Sequence, residues 1–336
     1  MTFAPGPTAL KWAAATQAAV AGPALSILIF HRVLEGPDPL FPDEVDRARF
    51  DRLMGLVARS FRVVTLGQAL ASLEQGRLAP RTLAITFDDG YADNAEIALP
   101  ILQRHGLAAT FFVATGFLDG GRMFNDTVIE AVRRSPHTAL DLGDFGLGRL
   151  AVGTPGERRA AIEAMLPKVK YLSLAQREDA LRRLEQTCGH PALPNDLMMR
   201  SRQVQQLHAA GMEIGGHTVR HPILAQTPDA EARREIAEGR DALAALVDAP
   251  IEVFAYPNGR PDRDYDRRHV QMVRELGFRG AVSTARGVAT AADDRFQLPR
   301  HTPWGRSLAT WSLRLLAGLR QRGFASAGAA QPAGSR

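Results

Sequence analysis

Leu83-Ala84-Ile85-Thr86-Phe87-Asp88-Asp89-Gly90 is a short apolar run that ends on two adjacent acids and a glycine. A run of this length, bounded by a turn signal, reads as a parallel strand buried on both faces, here Thr82 to Phe87. Carboxylates at the end of such a strand are expensive to desolvate unless a cation or a proton-transfer role compensates them. Asp-Asp-Gly is also an ordinary turn sequence, so the pair needs corroboration. It comes much later in the chain, where Glu213-Ile-Gly-Gly is followed by His217-Thr-Val-Arg-His221. The glycines allow the backbone to approach a site closely. One carboxylate and two imidazoles make a three-ligand set that leaves a zinc-like cation an open position, and the second carboxylate stays free to take a proton from water.

Working outward, Leu25 to Leu34 reads as another buried strand with His31 at its end. Phe61–Val64, Ala109–Ala114, Ile251–Ala255 and Gly280–Ser283 follow the same pattern. Between them lie helical patterns at 43–59, 66–75 (with Thr65 as N-cap and Gly76 as stop), 94–105, 202–210, 229–247 and 265–276. Strands alternating with helices imply a parallel sheet, and seven or eight such units fit a barrel-like α/β fold with its chemistry at the strand ends. His31, Asp88, Asp89, His217 and Asn258 all fall just past strand candidates. Residues 116–200 break the rhythm with three helical patterns around a Gly-rich stretch and read as an inserted helical lobe. The resulting division is an N-terminal extension (1–24), a catalytic domain (25–306) carrying that insertion, and an amphipathic helix with a disordered tail (307–336, the tail from Ala325).

The chain has 336 residues, 45% of them hydrophobic, enough for one large domain. The 41 basic and 36 acidic residues give a formal charge of +5, much of the excess lying in Arg pairs spaced like solvated helix faces. No basic patch with interleaved aromatics is visible, so nucleic-acid binding is not expected. The single cysteine, Cys188, rules out an intramolecular disulfide and a thiolate cluster; any metal site must use His, Asp and Glu. The first 24 residues make a poor signal peptide and no window could span a membrane, which predicts a cytoplasmic protein. The helix at 307–322 sets Trp311, Leu315 and Leu316 against Arg314 and Arg322. It could rest on an anionic membrane surface as a peripheral contact, but packing on the outside of the domain is the simpler expectation.

The segments Thr86–Gly90 and His217–His221, with Phe254-Ala-Tyr-Pro-Asn-Gly259 after them, resemble the polysaccharide deacetylases, the carbohydrate esterases of the NodB-homology type, over roughly residues 25–303. The resemblance implies a distorted (β/α) barrel that hydrolyses acetyl groups from a glycan or glycan precursor in a metal-dependent reaction. It also implies roles: Asp88 as general base, Asp89, His217 and His221 as ligands of a divalent ion (Zn2+ first, Co2+ or Ni2+ next), and the Asn258 N–H at the oxyanion position. The chain departs from the common pattern twice. The acid histidine is either His31, as in the branch with rearranged motif order, or His301 in Leu298-Pro-Arg-His, with His31 the better placed. Ala255 stands where the family usually has the arginine that orients the base, and Arg300 is a replacement, because a guanidinium can hold both oxygens of a carboxylate. Tyr256, Trp304 and Phe124 are candidate sugar-stacking rings, of which Tyr256 is the assigned substrate contact. Asp93 and Asn94 are expected to tie down the turn after the acidic pair. Two rival readings are a catalytically silent glycan-binding relative and an amide hydrolase for a small non-sugar substrate.

Overall fold

The computed structural model describes residues 7–302 and 307–328. Its strands are β1 (Ser26–Phe30), β2 (Arg62–Val63), β3 (Thr82–Phe87), β4 (Thr110–Val113), β5 (Ala139–Asp141), β6 (Arg149–Ala151), β7 (Glu213–Gly216), β8 (Val253–Ala255) and β9 (Gly280–Val282). Its helices are α1 (Pro7–Ala21), α2 (Arg47–Ser60), α3 (Leu66–Glu74), α4 (Leu99–Arg104), α5 (Phe124–Arg134), α6 (Pro155–Lys170), α7 (Leu174–Thr187), α8 (Ser201–Ala209), α9 (Asp229–Val247), α10 (Arg267–Glu275) and α11 (Leu308–Arg320). The main sheet is parallel, in the order β1-β3-β4-β7-β8-β9 with β2 beside β3. It curls until the segment 298–301 bridges its two ends. Leu298 exchanges backbone hydrogen bonds with the β9 side (Leu298 N–H to Ala281 O, 2.9 Å; Ser283 N–H to Leu298 O, 2.8 Å), and His301 does so with β1 (His301 N–H to Ile27 O, 2.9 Å; Ile29 N–H to His301 O, 3.2 Å). The expected distorted barrel is therefore present.

Strand alternation sorts the core into two clusters. Ile27, Ala84, Phe112, Val253, Ala255, Val282 and Leu298 point into the barrel, whose lower end α3 closes with Leu66, Ala69 and Leu70. Leu28, Phe30, Leu83, Ile85, Phe87 and Phe111 point outward onto the helices. The same period fixes the site. Thr86 faces inward, so Asp88 two residues on does as well; Leu298 faces inward, and so does Arg300.

The helical insertion carries its own apolar core, with Val128, Val132, Leu140, Ile162, Met165 and Leu184 among its buried residues. Its Gly-rich stretch, read as part of a helical lobe, forms the antiparallel hairpin β5–β6, with Gly146 and Gly148 at positive φ between the strands. The pattern at 94–105 opens with a π-helical turn (Asn94–Ala98) before α4. On the outside, α11 buries Trp311 and Leu315 against a surface shared with α1 and α2, the simpler of the two expectations for that helix. The tail expected to be disordered from Ala325 is held at its start: Ala327 is buried and its N–H donates to Gln297 Oε1 at 2.6 Å, and the Gly328 N–H donates to Asp262 Oδ1 at 3.0 Å. The rest of that tail, 329–336, lies outside the described residues. Among the described residues no helix is long and apolar enough to cross a membrane.

Candidate active site

Parallel register brings the strand ends together. β1 and β3 pair Phe30 with Phe87, so the next residues, His31 and Asp88, stand side by side, and the Asp88 N–H donates to Phe30 O at 2.9 Å. β4 pairs Val113 with Gly216, which delivers His217, and β8 pairs Ala255 with Val282, ahead of Asn258 and Thr284. These residues line one pocket: His31, Asp88, Asp89, His217, His221, Asn258 and Thr284 from the barrel, with Phe124, Asn125 and Lys170 from the insertion. Four of the barrel residues at this rim have positive φ without being glycine: Asp89 (76°), Thr218 (66°), His221 (53°) and Asn258 (58°). For β-branched Thr218 that conformation is strongly disfavoured, and such strain persists only where the surroundings enforce it.

The enforcement is visible. Glu235 on α9, buried, accepts the Val219 and Arg220 N–H groups through Oε2 at 3.0 and 2.7 Å, and Arg220 Nε through Oε1 at 2.7 Å. One turn on, Gly239 lets the helix press against the turn: a Cβ there would lie 2.9 Å from Thr218 C and O. Thr218 Oγ1 accepts the His221 N–H at 3.1 Å and so sets the second histidine. None of these buttresses was anticipated. Glu235 shares the inward face of α9 with Ala232, Ile236 and Gly239, and a carboxylate on a helix's buried stripe is the signal that could have found it.

Asp89 Oδ1 lies 3.3 Å from His217 Nε2 and 3.5 Å from His221 Nε2. A ligand atom of each of the three residues lies within 4.8 Å of the others, and all three side chains are buried. Two donors held at about 2.0–2.1 Å and at a tetrahedral angle sit about 3.4 Å apart, so this set fits a zinc-sized ion. The donor chemistry fits as well. His217 Nδ1 is 2.7 Å from Ala255 O; a carbonyl only accepts, so Nδ1 carries the proton and Nε2 of the neutral ring offers its lone pair. Burial pushes His221 down to about 3, which keeps it neutral. Burial alone would raise Asp89, but a second proton on His217 Nε2, or a cation in its place, outweighs that and holds the carboxyl below the usual carboxylate range.

Asp88 is in different company. Arg300 Nη1 donates to Asp88 Oδ1 at 2.6 Å and Nη2 to Oδ2 at 2.7 Å, while its Nε donates to Ser283 O at 2.9 Å. Burial would push this carboxyl up; the Arg300 charge and its two hydrogen bonds outweigh the burial and leave Asp88 ionised. Arg300 is 1% exposed, not a surface arginine.

The other expected residues divide. His31 is exposed at the mouth, and its backbone is pinned from below: Asn94 Nδ2 donates to His31 O at 2.9 Å, the Val33 N–H to Asp93 Oδ1 at 3.1 Å, and Arg32 Nε to Asp93 Oδ2 at 2.8 Å. Asp93 and Asn94 thus hold the His31 segment. His301 follows inward-facing Arg300 on an extended segment and must point the other way; its ring lies beneath α11, 3.1–3.3 Å from where a Gly318 Cβ would stand, and burial lowers it to about 4. Asn258 lines the pocket, with Nδ2 buried and unpartnered. Tyr256 is a correction: it is 0% exposed, stacked at 3.9 Å on Tyr265, and its hydroxyl donates to Phe296 O at 3.0 Å, so it is core and offers no face to a sugar. Phe124 does reach the pocket, with Arg177 over its ring at 4.4 Å, and Trp304 lies outside the described residues. Lys170, at the end of α6, was not foreseen; burial holds its ammonium below the usual lysine range.

A sequence model of the family described as "Polysaccharide deacetylase" matches residues 75–140 and 179–281, half of the chain and both acid and histidine segments. The chain belongs to the polysaccharide deacetylase family. The Bacillus subtilis (strain 168) protein YxkH, whose name places it among polysaccharide deacetylases, is 31% identical over 90 residues, which is 26% of this chain and 31% of YxkH. Less than a third of that relative's length is therefore matched. Over most of its length the chain has the fold of two solved proteins. The Streptococcus pyogenes deacetylase PplD, in complex with acetate, superposes with a TM-score of 0.60 at 18% identity, covering 87% of this chain and 98% of PplD. IcaB from Ammonifex degensii gives 0.55 at 18% identity, with 87% and 97% covered. The curled parallel barrel is thus the polysaccharide deacetylase fold.

Proposed function

We propose that this deacetylase family member hydrolyses acetyl groups from an acetylated glycan, using a divalent cation, zinc in the first place, held by Asp89, His217 and His221. When bound, such a cation supplies Lewis-acid polarisation of an acyl oxygen and brings the pKa of water toward neutrality. The protein's own residues do the rest. Asp88, kept ionised and in one plane by Arg300, accepts the proton of the attacking water. The backbone N–H of Asn258 donates to the oxygen on which negative charge develops. His31 at the pocket mouth gives a proton to the departing amine or alcohol, without which an amine is a poor leaving group.

The observation that carries this reading is the contrast between two adjacent carboxylates: Asp89 faces two imidazole nitrogens, and Asp88 faces a guanidinium that takes both its oxygens. Neighbouring titratable groups in opposed environments mark divided roles. The strongest argument for a silent binding relative is Ala255 in place of the family's arginine; Arg300 holds Asp88 from the segment 298–301 instead, which favours an active enzyme. Acetate release from acetylated oligosaccharides, with zinc supplied and Asp88→Asn as control, tests the proposal. Release by the native chain and none by the variant is expected; no release by either would overturn it.

A further inference from the structure

Next to the catalytic pocket, and sharing His31, Asp89 and Asn125 with it, is a second cavity of about 210 Å³. Its floor is apolar, with Ile29, Phe30 and Leu34, and its walls are acidic. Two of the acids, Asp38 and Glu130, are answered by Arg133 at 2.5 and 2.9 Å. Two are not. Asp126 is 3% exposed; its Oδ1 accepts the Tyr91 hydroxyl at 3.2 Å, and its Oδ2 has no partner. Glu44 makes no side-chain hydrogen bond or ion pair among the described residues, and burial pushes it upward. The nearby cation, Arg32, is committed to Asp93 at 2.8 Å and lies over the Tyr91 ring. Burial pushes Asp126 up to about 7, so an approaching cation would relieve an unmet demand.

The cation is not a metal ion: Asp126 and Glu44 do not converge with other ligands, and the three-residue group at Asp89 is the metal-like cluster among the described residues. An apolar floor with carboxylates at one side suits a carbon ring bearing an ammonium. Lys170 gives the catalytic pocket the opposite character, unfavourable to an ammonium and indifferent to a neutral acetamide.

We propose that this cavity, with Asp126 and Glu44 as its unpaired acceptors, is a subsite for the protonated amine of a sugar residue that has already lost its acetyl group. The enzyme then favours partly deacetylated chains over fully acetylated ones. The nature of the amine rests on the deacetylase reading; the existence of an ammonium site does not.

The test is a binding titration of the zinc-loaded full chain, followed by NMR, with three methyl glycosides differing only at C2: ammonium (glucosaminide), acetamido and hydroxyl. Native protein should bind the ammonium sugar about tenfold or more tightly than the hydroxyl sugar, and Asp126→Asn and Glu44→Gln should each remove most of that margin. Glu44 is half-buried, so its variant tests the idea even if the Asp126 variant folds poorly. Equal binding of the ammonium and hydroxyl sugars, or a margin untouched in both variants, overturns the subsite. The deciding comparison is between the ammonium and hydroxyl sugars, which carry no acetyl group, so that failure is distinct from a failure to release acetate.

Discussion

Arg300 closes on Asp88 with two nearly parallel hydrogen bonds, 2.6 and 2.7 Å, across 212 residues of chain, and both side chains are buried but for the edge Asp88 shows to the pocket. A fork of this kind fixes the plane of the carboxylate as well as its charge, which a lysine cannot do. Removing one member of a buried pair strands the other. Arg300→Met is therefore expected to destabilise the protein by about 3–5 kcal/mol in urea unfolding. The double variant with Asp88→Asn should recover part of that loss, since it no longer buries a lone charge. Additive losses would show that the pair is not coupled.

His31 and His301 separate by what each touches. His31 is exposed at the pocket mouth, whereas His301 is half-buried with both ring nitrogens shut off from solvent beneath α11. His31→Ala should lower kcat for acetate release by about 10²–10⁴-fold with the melting temperature unchanged. His301→Ala should leave kcat within a few-fold and lower the melting temperature. The reverse pattern in paired activity and melting measurements would hand the proton-donor role to His301.

Glu235 touches no ligand, yet it holds the loop that presents His217 and His221. Glu235→Ala leaves two backbone N–H groups without their acceptor, at a cost of about 2–3 kcal/mol in stability. It should also weaken zinc binding by about 10–100-fold in chelator competition, as loss of outer support does at metal centres. Glu235→Gln, which keeps one acceptor oxygen, should fall between. Unchanged zinc affinity in the Ala variant would make α9 a bystander.

The pH dependence of stability should carry the mark of Asp126. Its carboxyl is pushed up to about 7 by burial, against about 4 in the unfolded chain. Between those values the folded state holds the extra proton, so the contribution of this residue to stability falls as pH rises from about 4 to 7 and stays low above. Asp126→Asn should flatten that decline and melt above the native protein at pH 8. A variant that melts lower at pH 8 would mean that the ionised carboxylate is already paired.

Much of this architecture is written in short-range pattern. The runs at Ser26–Phe30 and Thr82–Phe87 are mostly apolar and buried at every position because both faces of a parallel strand are covered, and the two-residue period of the second carries on to Asp88. Tyr256 was misread because it lies within a motif segment: proximity in sequence to Asn258 says nothing about which side of the strand end a ring takes, and Tyr265, with which it stacks, comes from a later loop. Asn125 and Lys170 were hidden for another reason. They come from an insertion whose docking on the barrel mouth is decided by the packing of its own core, and no local period reports that.

The most direct test of the account is a calorimetric titration of Zn2+ into chelator-stripped protein. One ion per chain is expected to bind, and binding should be lost in His217→Ala and in Asp89→Asn but kept in Asp88→Asn. Absence of binding, or binding indifferent to His217 and Asp89, would contradict it.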